Sequence, residues 1–444
     1  MKGPLDWTLA VVAAATGGVI DGEPTMPVRS ISTDSRDVEP GAVFVALRGA
    51  NHDGHDHAAD AVAVGAVAAL VEHGTHPHLV PRIDVEDTSE ALRDLAAHRR
   101  GELNVPVVAV TGSTGKTSTK DLLAAAIPEA WASPRSYNNE VGVPLTLLST
   151  PIDAKALVIE VGSRGRGHIR WLMPAILPSV GVITNLGLVH LETFGSRDAI
   201  ADGKWELIEG LSAGGTAVLP DDEPRLLRAH PGPTMTFGTT QNAFVRVADL
   251  TTDGQGRPSF VLQIEGRPFP MSLRMSGSHN ALNAAAALAA STAIGVDPEV
   301  AIAGMETAIG SAWRMEIRAG RYTVVNDAYN ANPTSMAAAL RTVASMPGRS
   351  YAVLGEMAEL GDVTAAEHER IGRLAIELGI DHVVTVGPDH GLAQAAGGVN
   401  LDDPGEALDW VRGRVRDDDV VLVKASRSVG LERLADQLTE EALL

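Results

Sequence analysis

Hydrophobic positions in this chain fall into short, nearly unbroken runs separated by amphipathic stretches. "VPVVAV" (residues 105–110), "KALVIEVG" (155–162), "SVGVITNLG" (179–187) and "GGTAVLP" (214–220) are apolar at most consecutive positions. Such runs suit strands of a parallel sheet, whose two faces are both covered by helices. Between about Val105 and Gly310 they alternate with helix-forming segments, and a second series opens after Trp313 with "YTVVNDAYN", "SYAVLGEM", "HVVTVG" and "DVVLVKAS". Up to about Asp87 the texture differs: "SISTDSRDVEPGAVFVAL" and "NHDGHDHAADAVAVGAVAALVEH" read as short strands and turns. The pattern predicts an α/β protein of three domains, over residues 1–87, 88–311 and 312–444. Repeated strand–helix–strand units predict right-handed crossovers and ligands at the carboxyl ends of the strands. Polar residues collect where those runs stop. Near the start, a helix beginning at Asp6 or Thr8 and ended by Gly17-Gly18 accounts for the first apolar stretch.

Composition narrows the picture. A chain of 444 residues exceeds one ordinary core, so two to four domains are expected. Its 45% apolar and 21% charged residues describe an ordinary globular protein. A formal charge of −20 argues against a general nucleic-acid binder, which needs a basic face to displace counterions. Small anionic ligands are still open, because NH groups, Lys, Arg and Mg²⁺ hold those locally. With no cysteine there is no disulfide framework, thiolate metal site or thiol nucleophile, which suits a reducing compartment. The longest apolar runs, such as "AVAVGAVAALV" (61–71), fall short of the ~20 residues a bilayer needs. Asp6 interrupts what would otherwise be the charged start of a secretory signal. The expectation is a cytoplasmic protein without membrane insertion, and a monomer by default.

The run at 105–110 passes into "TGSTGKTSTKDLLAAAI", a small-residue loop followed by helix formers. Strand, Gly-rich loop and helix make a phosphate cradle. The standard spacing is Gly, four residues, then Gly-Lys-Ser/Thr. Counted back from Gly115, Lys116 and Thr117, the first Gly belongs at position 110, where Val110 stands. The loop is instead Thr111, Gly112, Ser113, Thr114, Gly115, Lys116, Thr117, Ser118. Its mechanics survive: two glycines let the backbone approach phosphate, Lys116 reaches the β/γ oxygens, and the Thr117 hydroxyl sits on Mg²⁺. A Gly/Ser turn with an incidental lysine is the bland alternative, and the flanking strand and helix weigh against it.

Phosphoryl transfer also needs a carboxylate for Mg²⁺ at a strand end. Glu160 closes the apolar strand "KALVIE", where a charge is otherwise unwelcome. The next strand ends at Asn185 and then presents His190, at the same strand-end level as Glu160. Read alone, Lys204 in "RDAIADGKWELIEGL" is a solvated helix lysine among acidic neighbours.

Longer segments go further. "VTGSTGKTSTKD", "YNNEVGVPLTLL", "VIEVGSRGRGHI", "TNLGLVHLETFGS", "GSHNALNAAAA", "WRMEI" and "NDAYNANPTSM" occur in this order. Nearly end to end, the chain resembles the Mur ligases of peptidoglycan synthesis, most closely those that add a dipeptide. The resemblance implies an N-terminal α/β domain for a UDP-sugar, a central P-loop-type ATPase domain and a C-terminal Rossmann-like domain. It implies an ADP-forming ligase in which a peptide carboxylate takes the γ-phosphoryl group, becomes an acyl phosphate and is attacked by an amine. The substrates it implies are UDP-N-acetylmuramoyl-tripeptide and D-alanyl-D-alanine, with ATP and two Mg²⁺ ions.

Carried over by residue, Lys116 and the loop amides would stabilise the transferring group, and Thr117 with Glu160 would bind the first Mg²⁺. His190 would bind the second. Lys204 would match the lysine that is carbamylated in this family, a change that turns a cation repelling Mg²⁺ into an anion attracting it. Asn280 and Asn283, whose i, i+3 spacing shares one helix face, would match adenine contacts. Arg314, Asp327 and Asn330 would close over ATP phosphate and ribose, with "AIGSAWR" (308–314) as hinge. At the sugar-nucleotide end, Ser35 and Arg36 in "STDSR" would meet uracil and pyrophosphate. His55 would lie beside them, and Asn138, Asn139 and Glu140 would meet the muramoyl side. A zinc reading of "NHDGHDH" is weak, because its residues alternate through a Gly turn into a helix. Candidates for the dipeptide carboxylate are Arg427 and the "GEMAELG" turn.

Two other readings compete. One is a sister ligase adding a single amino acid, or a folylpolyglutamate-type ligase, against which "NNEVGVPLTLL" and "NDAYNANPTSM" speak. The other is a phosphate-loop sensor without ligase chemistry, against which the joint presence of Lys116, Glu160, His190 and Lys204 speaks.

Overall fold

The unbroken apolar runs become strands buried on both faces. Val107–Thr111, Ala156–Glu160, Val180–Ile183 and Thr216–Pro220 consist wholly of buried residues in the computed structural model, which describes residues 5–134 and 136–443. They lie in a nine-stranded sheet ordered Arg267–Ser272, Pro258–Ile264, Val245–Thr252, Thr234–Gly238, Thr216–Pro220, Val180–Ile183, Val107–Thr111, Ala156–Glu160, Ala130–Ala132. Every neighbouring pair from Ala130–Ala132 to Val245–Thr252 is parallel. The last two pairings are antiparallel. This meander departs from the expected strand–helix alternation. Its strands are buried at alternate positions, so one face meets solvent and no continuous apolar run marks them.

The helix Asn280–Ala293 reads "NALNAAAALAASTA" and is buried almost all round, as a helix apolar on every side must be. Its small side chains let it pack closely against the phosphate-loop helix, Lys116–Ala126, in one core with the sheet.

Two further sheets flank this one. The N-terminal sheet runs Val19–Asp21, Arg82–Val85, Ala68–Glu72, Ala42–Val45, Ser30–Ser32. The helix expected near Thr8 spans Leu9–Thr16, with Thr8 accepting from Val11 N and Gly17 closing it at φ 65°. The helix Thr88–Glu102 joins this sheet to the central one: Leu92 and Leu95 share a core with Val43 and Leu70 on one side and Val107 and Leu157 on the other. The C-terminal sheet runs Glu316–Ala319, Thr323–Asn326, Val420–Lys424, Ser350–Gly355, His382–Val386, Val399–Leu401, parallel after its first pair. No helix among the described residues is long and apolar enough to cross a membrane.

Register positions the site. Val107–Thr111 pairs with Val180–Ile183 on one side and Ala156–Glu160 on the other, aligning Ile183 with Thr111 and Glu160 with Val110. The chain changes direction across the sheet at that strand, and three carboxyl ends open together into one crevice.

Candidate active site

At that crevice the phosphate loop is clasped by the turn following Val180–Ile183. Thr114 N donates to Asn185 Oδ1 (2.9 Å), Asn185 Nδ2 donates to Thr114 Oγ1 (2.7 Å), and Thr184 Oγ1 donates to Thr114 O (2.5 Å). Ser113 Oγ accepts from Gly187 N (2.8 Å). This clasp leaves no room for side chains on the loop glycines. A Cβ on Gly112 (φ 148°) would lie 1.9 Å from Thr184 Oγ1, and one on Gly115 (φ 78°) 2.5 Å from Asn283 Oδ1. Only glycine meets both demands, close approach and positive φ.

Lys116 curls over the loop and donates from Nζ to Gly112 O (2.8 Å). Burial lowers its pKa, against the attraction of Glu160. Thr117 Oγ1 donates to Glu160 Oε2 (2.8 Å), and Asn138 Nδ2 donates to Glu160 Oε1 (2.7 Å). Glu160 is fully buried, and its carboxylate is balanced by a hydroxyl and an amide without an ion pair among the described residues. That donor set suits a divalent cation completed by phosphate oxygens. No group of three or more His, Asp or Glu side chains among the described residues is arranged to hold a metal by itself.

Lys204, expected to be solvated if read alone, is 1% exposed. Its acidic neighbours in sequence face elsewhere: Asp202 pairs with Arg166 (2.8 Å) and Arg228 (2.9 Å), while Glu206 accepts from Gly167 N and Arg170 N. Its amine has no hydrogen-bond or ion-pair partner among the described residues. Burial first, and then the charge on Lys116, push its pKa well below the ordinary value. Burial without a partner disfavours the ammonium form there.

His190 caps the short helix Leu191–Phe194 in a left-handed conformation, φ 49°. Its Nδ1 meets the carboxylate of Glu359, which arrives from the C-terminal domain. Burial lowers its pKa, Glu359 opposes that shift, and Lys116 and Lys204 reinforce it.

Asn280 and Asn283 stand on one face of their helix as expected, bonded to each other at 2.8 Å, with Asn280 Nδ2 donating to Ser276 O. From the C-terminal side, Arg314 lies 4.0 Å over the Tyr329 ring and reaches Ser136 Oγ (3.3 Å). Asp327 pairs with Lys424 (2.6 Å) and accepts from Met315 N, and Lys424 Nζ also donates to Asn330 O. Together these residues line a cleft of ≈ 800 Å³ between the central and C-terminal domains.

The cleft gathers every phosphate-loop residue from Gly112 to Ser118 together with Asn138, Asn139, Glu140, Glu160, His190, Lys204, Asn280, Asn283, Arg314, Asp327 and Asn330. It does not include Ser35, Arg36 or His55. Arg36 is exposed and forked onto Asp34 (2.9 and 2.7 Å), which holds the Asp34 carboxyl down to about 2. His55 has both ring nitrogens engaged within the fold: its Nδ1 bonds Asp53 (2.6 Å) and its Nε2 accepts from Glu72 N (3.1 Å). Asn139 Oδ1 is likewise occupied, accepting from Gly142 N (2.8 Å) at the start of the helix Gly142–Leu148. Sequence reading missed Asn138 as a support for Glu160, the Thr184–Asn185 clasp, Tyr329 and Lys424; Glu359 lies in the "GEMAELG" turn it named for the dipeptide carboxylate, without being singled out. A Thr-Asn pair ending an apolar strand beside a phosphate loop was the one available signal.

Residues 110–291 match the Mur ligase middle domain, 313–427 the Mur ligase glutamate ligase domain, and 27–100 the Mur ligase family catalytic domain. A UDP-N-acetylmuramoyl-tripeptide–D-alanyl-D-alanine ligase of Mycobacterium leprae is 36% identical over 99% of both chains. The crystal structure of MurF from Acinetobacter baumannii superposes with a TM-score of 0.90 at 31% identity, covering 98% of this chain and 99% of that one. MurF from Thermotoga maritima, solved in complex with ADP, does so with a TM-score of 0.85 at 30% identity, covering 94% and 98%.

Proposed function

The chain belongs to the Mur ligase family, and from that premise we propose that it joins D-alanyl-D-alanine to UDP-N-acetylmuramoyl-tripeptide, consuming ATP and acting in the cytoplasm. One observation carries the reading: phosphate-loop Lys116 and Thr117, buried Glu160, His190 and unpaired Lys204 converge on a cleft closed by a second domain. A hydrolase or sensor has no need of a buried, unpaired lysine beside a phosphate cradle and of a second wall supplied by another domain.

Thr117 and Glu160 would hold one Mg²⁺, and His190 with a carbamate on Lys204 would hold another. When bound, these cations neutralise charge on the transferring phosphoryl group. Lys204 is suited to carbamylation because its burial favours the neutral amine, and only a neutral amine adds to CO₂. The loop amides, with Lys116 turned from Gly112 O toward the γ-phosphate, stabilise the oxygens that gain charge as the tripeptide carboxylate takes the phosphoryl group. Arg314, held flat on Tyr329, adds a second cation from the opposite wall. The closed cleft keeps water from the acyl phosphate until an amine displaces phosphate. Arg36 and Ser35 would meet the UDP end, in the N-terminal domain.

The test is phosphate release from ATP and UDP-N-acetylmuramoyl-tripeptide, with mass spectrometry of the product. Release that depends on D-alanyl-D-alanine is expected. Release that depends instead on glycine, glutamate or diaminopimelate would overturn the assignment.

A further inference from the structure

Two carboxylates of the C-terminal domain border the cleft, Asp327 and Glu359. Asp327 is consumed by Lys424 (2.6 Å) and Met315 N (3.0 Å). Glu359 has no such support from its own domain. Its side chain is half exposed, and its carboxylate reaches across the cleft to His190.

The backbone behind it is firmly held. Met357 N donates to the buried His368 Nε2 (2.9 Å), and Ala358 N donates to Ser426 Oγ (2.9 Å). Glu359 itself adopts φ 63° and His190 φ 49°, so two residues with side chains occupy left-handed conformations on opposite sides of one contact. Strain of this kind persists where the surroundings over-determine it, and it concentrates at functional sites. The backbones also meet, Glu192 N donating to Glu359 O (3.4 Å). Both loops aim one anion at the edge of the reaction centre.

A cation stands on the same wall. Arg427 lines the cleft beside Ser426, stacked 4.7 Å from the Trp313 ring and with Nη1 3.3 Å from the Glu432 carboxylate. Because Ser426 Oγ is bonded to Ala358 N, the two turns carrying Glu359 and Arg427 are laced together. Opposite charges fixed on one surface fit a zwitterion.

We propose that Glu359 is the receptor for the amino group of the incoming dipeptide, placing it beside His190 while Arg427 directs the far carboxylate away from the reaction centre. The inference rests on the ligase reading. In this structure His190 takes the amine's place, so the receptor opens when the imidazole turns to another partner. Acceptor binding is thereby tied to the state of the phosphate and metal side.

The full-length enzyme tests this through separate KM values and through N-acetyl-D-alanyl-D-alanine, which lacks the ammonium, as a competitive inhibitor. Glu359→Gln should raise the KM for D-alanyl-D-alanine by about 10- to 100-fold, the range for losing a charged hydrogen bond, with the KM for ATP within about threefold. The wild-type preference for the free dipeptide over its N-acetyl form should collapse in the variant, and Glu359→Asp should recover part of it. A rise in all three KM values alike would mean a domain latch and overturn the receptor. Borohydride trapping of acyl phosphate in the wild type, without dipeptide, tests the ligase reading separately. Trapped acyl phosphate together with an unchanged dipeptide KM in Glu359→Gln would sink the receptor alone.

Discussion

On the central wall of the cleft, the clasp on the phosphate loop is made of bonds between uncharged groups: Thr114 to Asn185, Thr184 to Thr114 O, and Gly187 N to Ser113 Oγ. On the C-terminal wall the corresponding supports carry charge or can titrate: Asp327 with Lys424, Glu359 with His190, His390 with Glu356, and His368 under the "GEMAELG" turn. Hydroxyl and amide bonds keep their geometry across pH and salt. Ion pairs and imidazoles respond to both. The difference separates a preorganised wall, which must present amides to phosphate without reorganising, from a wall that must engage and release a second substrate.

The largest effects belong to the central wall. Lys116→Ala should lower turnover by about 10³-fold while the thermal melting temperature moves by no more than a few degrees. Near-normal phosphate release in that variant would dismantle the preorganised wall. Lys204→Ala should cost about 10²-fold if, as proposed, its carbamate completes the metal set. Short carboxylates added to the assay should restore part of the rate, and steady-state rates with and without bicarbonate give the complementary check.

Smaller effects belong to the C-terminal wall. Arg314→Lys keeps the charge but loses the stack on Tyr329 and the planar fork, so kcat should fall about tenfold with little change in melting temperature. The smallest effect is a pH effect on stability. His368 is buried and bonded at both nitrogens, to Thr364 O (2.7 Å) and Met357 N. Burial chiefly lowers its pKa; His390 acts in the same direction, while Thr364 O, Glu356 and Asp389 oppose it. The unfolded imidazole takes up a proton near 6.5, whereas the folded one resists, so the unfolded chain binds more protons below that pH. Stability is therefore lost as pH falls from about 6.5 through the lowered folded value, below which no more is lost. Melting curves at pH 7.5 and 5.5 should show the loss, and His368→Gln should flatten it. An equal slope in both proteins would refute the assignment.

Legibility followed locality. The stretch from Thr111 to Ser118 could be read because a strand, a glycine loop and a helix adjoin in sequence and act through their own backbone. Glu160 stood out because a charge ended an apolar run. Lys204 did not, since "WELIEGL" reads as a helix with a charged face; only the packing turns Asp202 and Glu206 toward Arg166, Arg228 and backbone amides, leaving the amine alone. The reverse happened at His55, conspicuous in a histidine-rich turn yet used entirely by Asp53 and Glu72 N. The antiparallel meander at 245–272 escaped because half of each strand's positions meet water.

What the amino-acid sequence determined alone is the set of parallel strands, the phosphate loop and the family, since each depends on neighbours within a few tens of residues. Tertiary structure alone decided that the buried Lys204 has no partner among the described residues, that His55 is already bonded, and that Glu359 faces His190 from a position 169 residues farther along the chain. Burial and partnership are properties of surfaces brought together from distant segments, and residue type by itself carries neither.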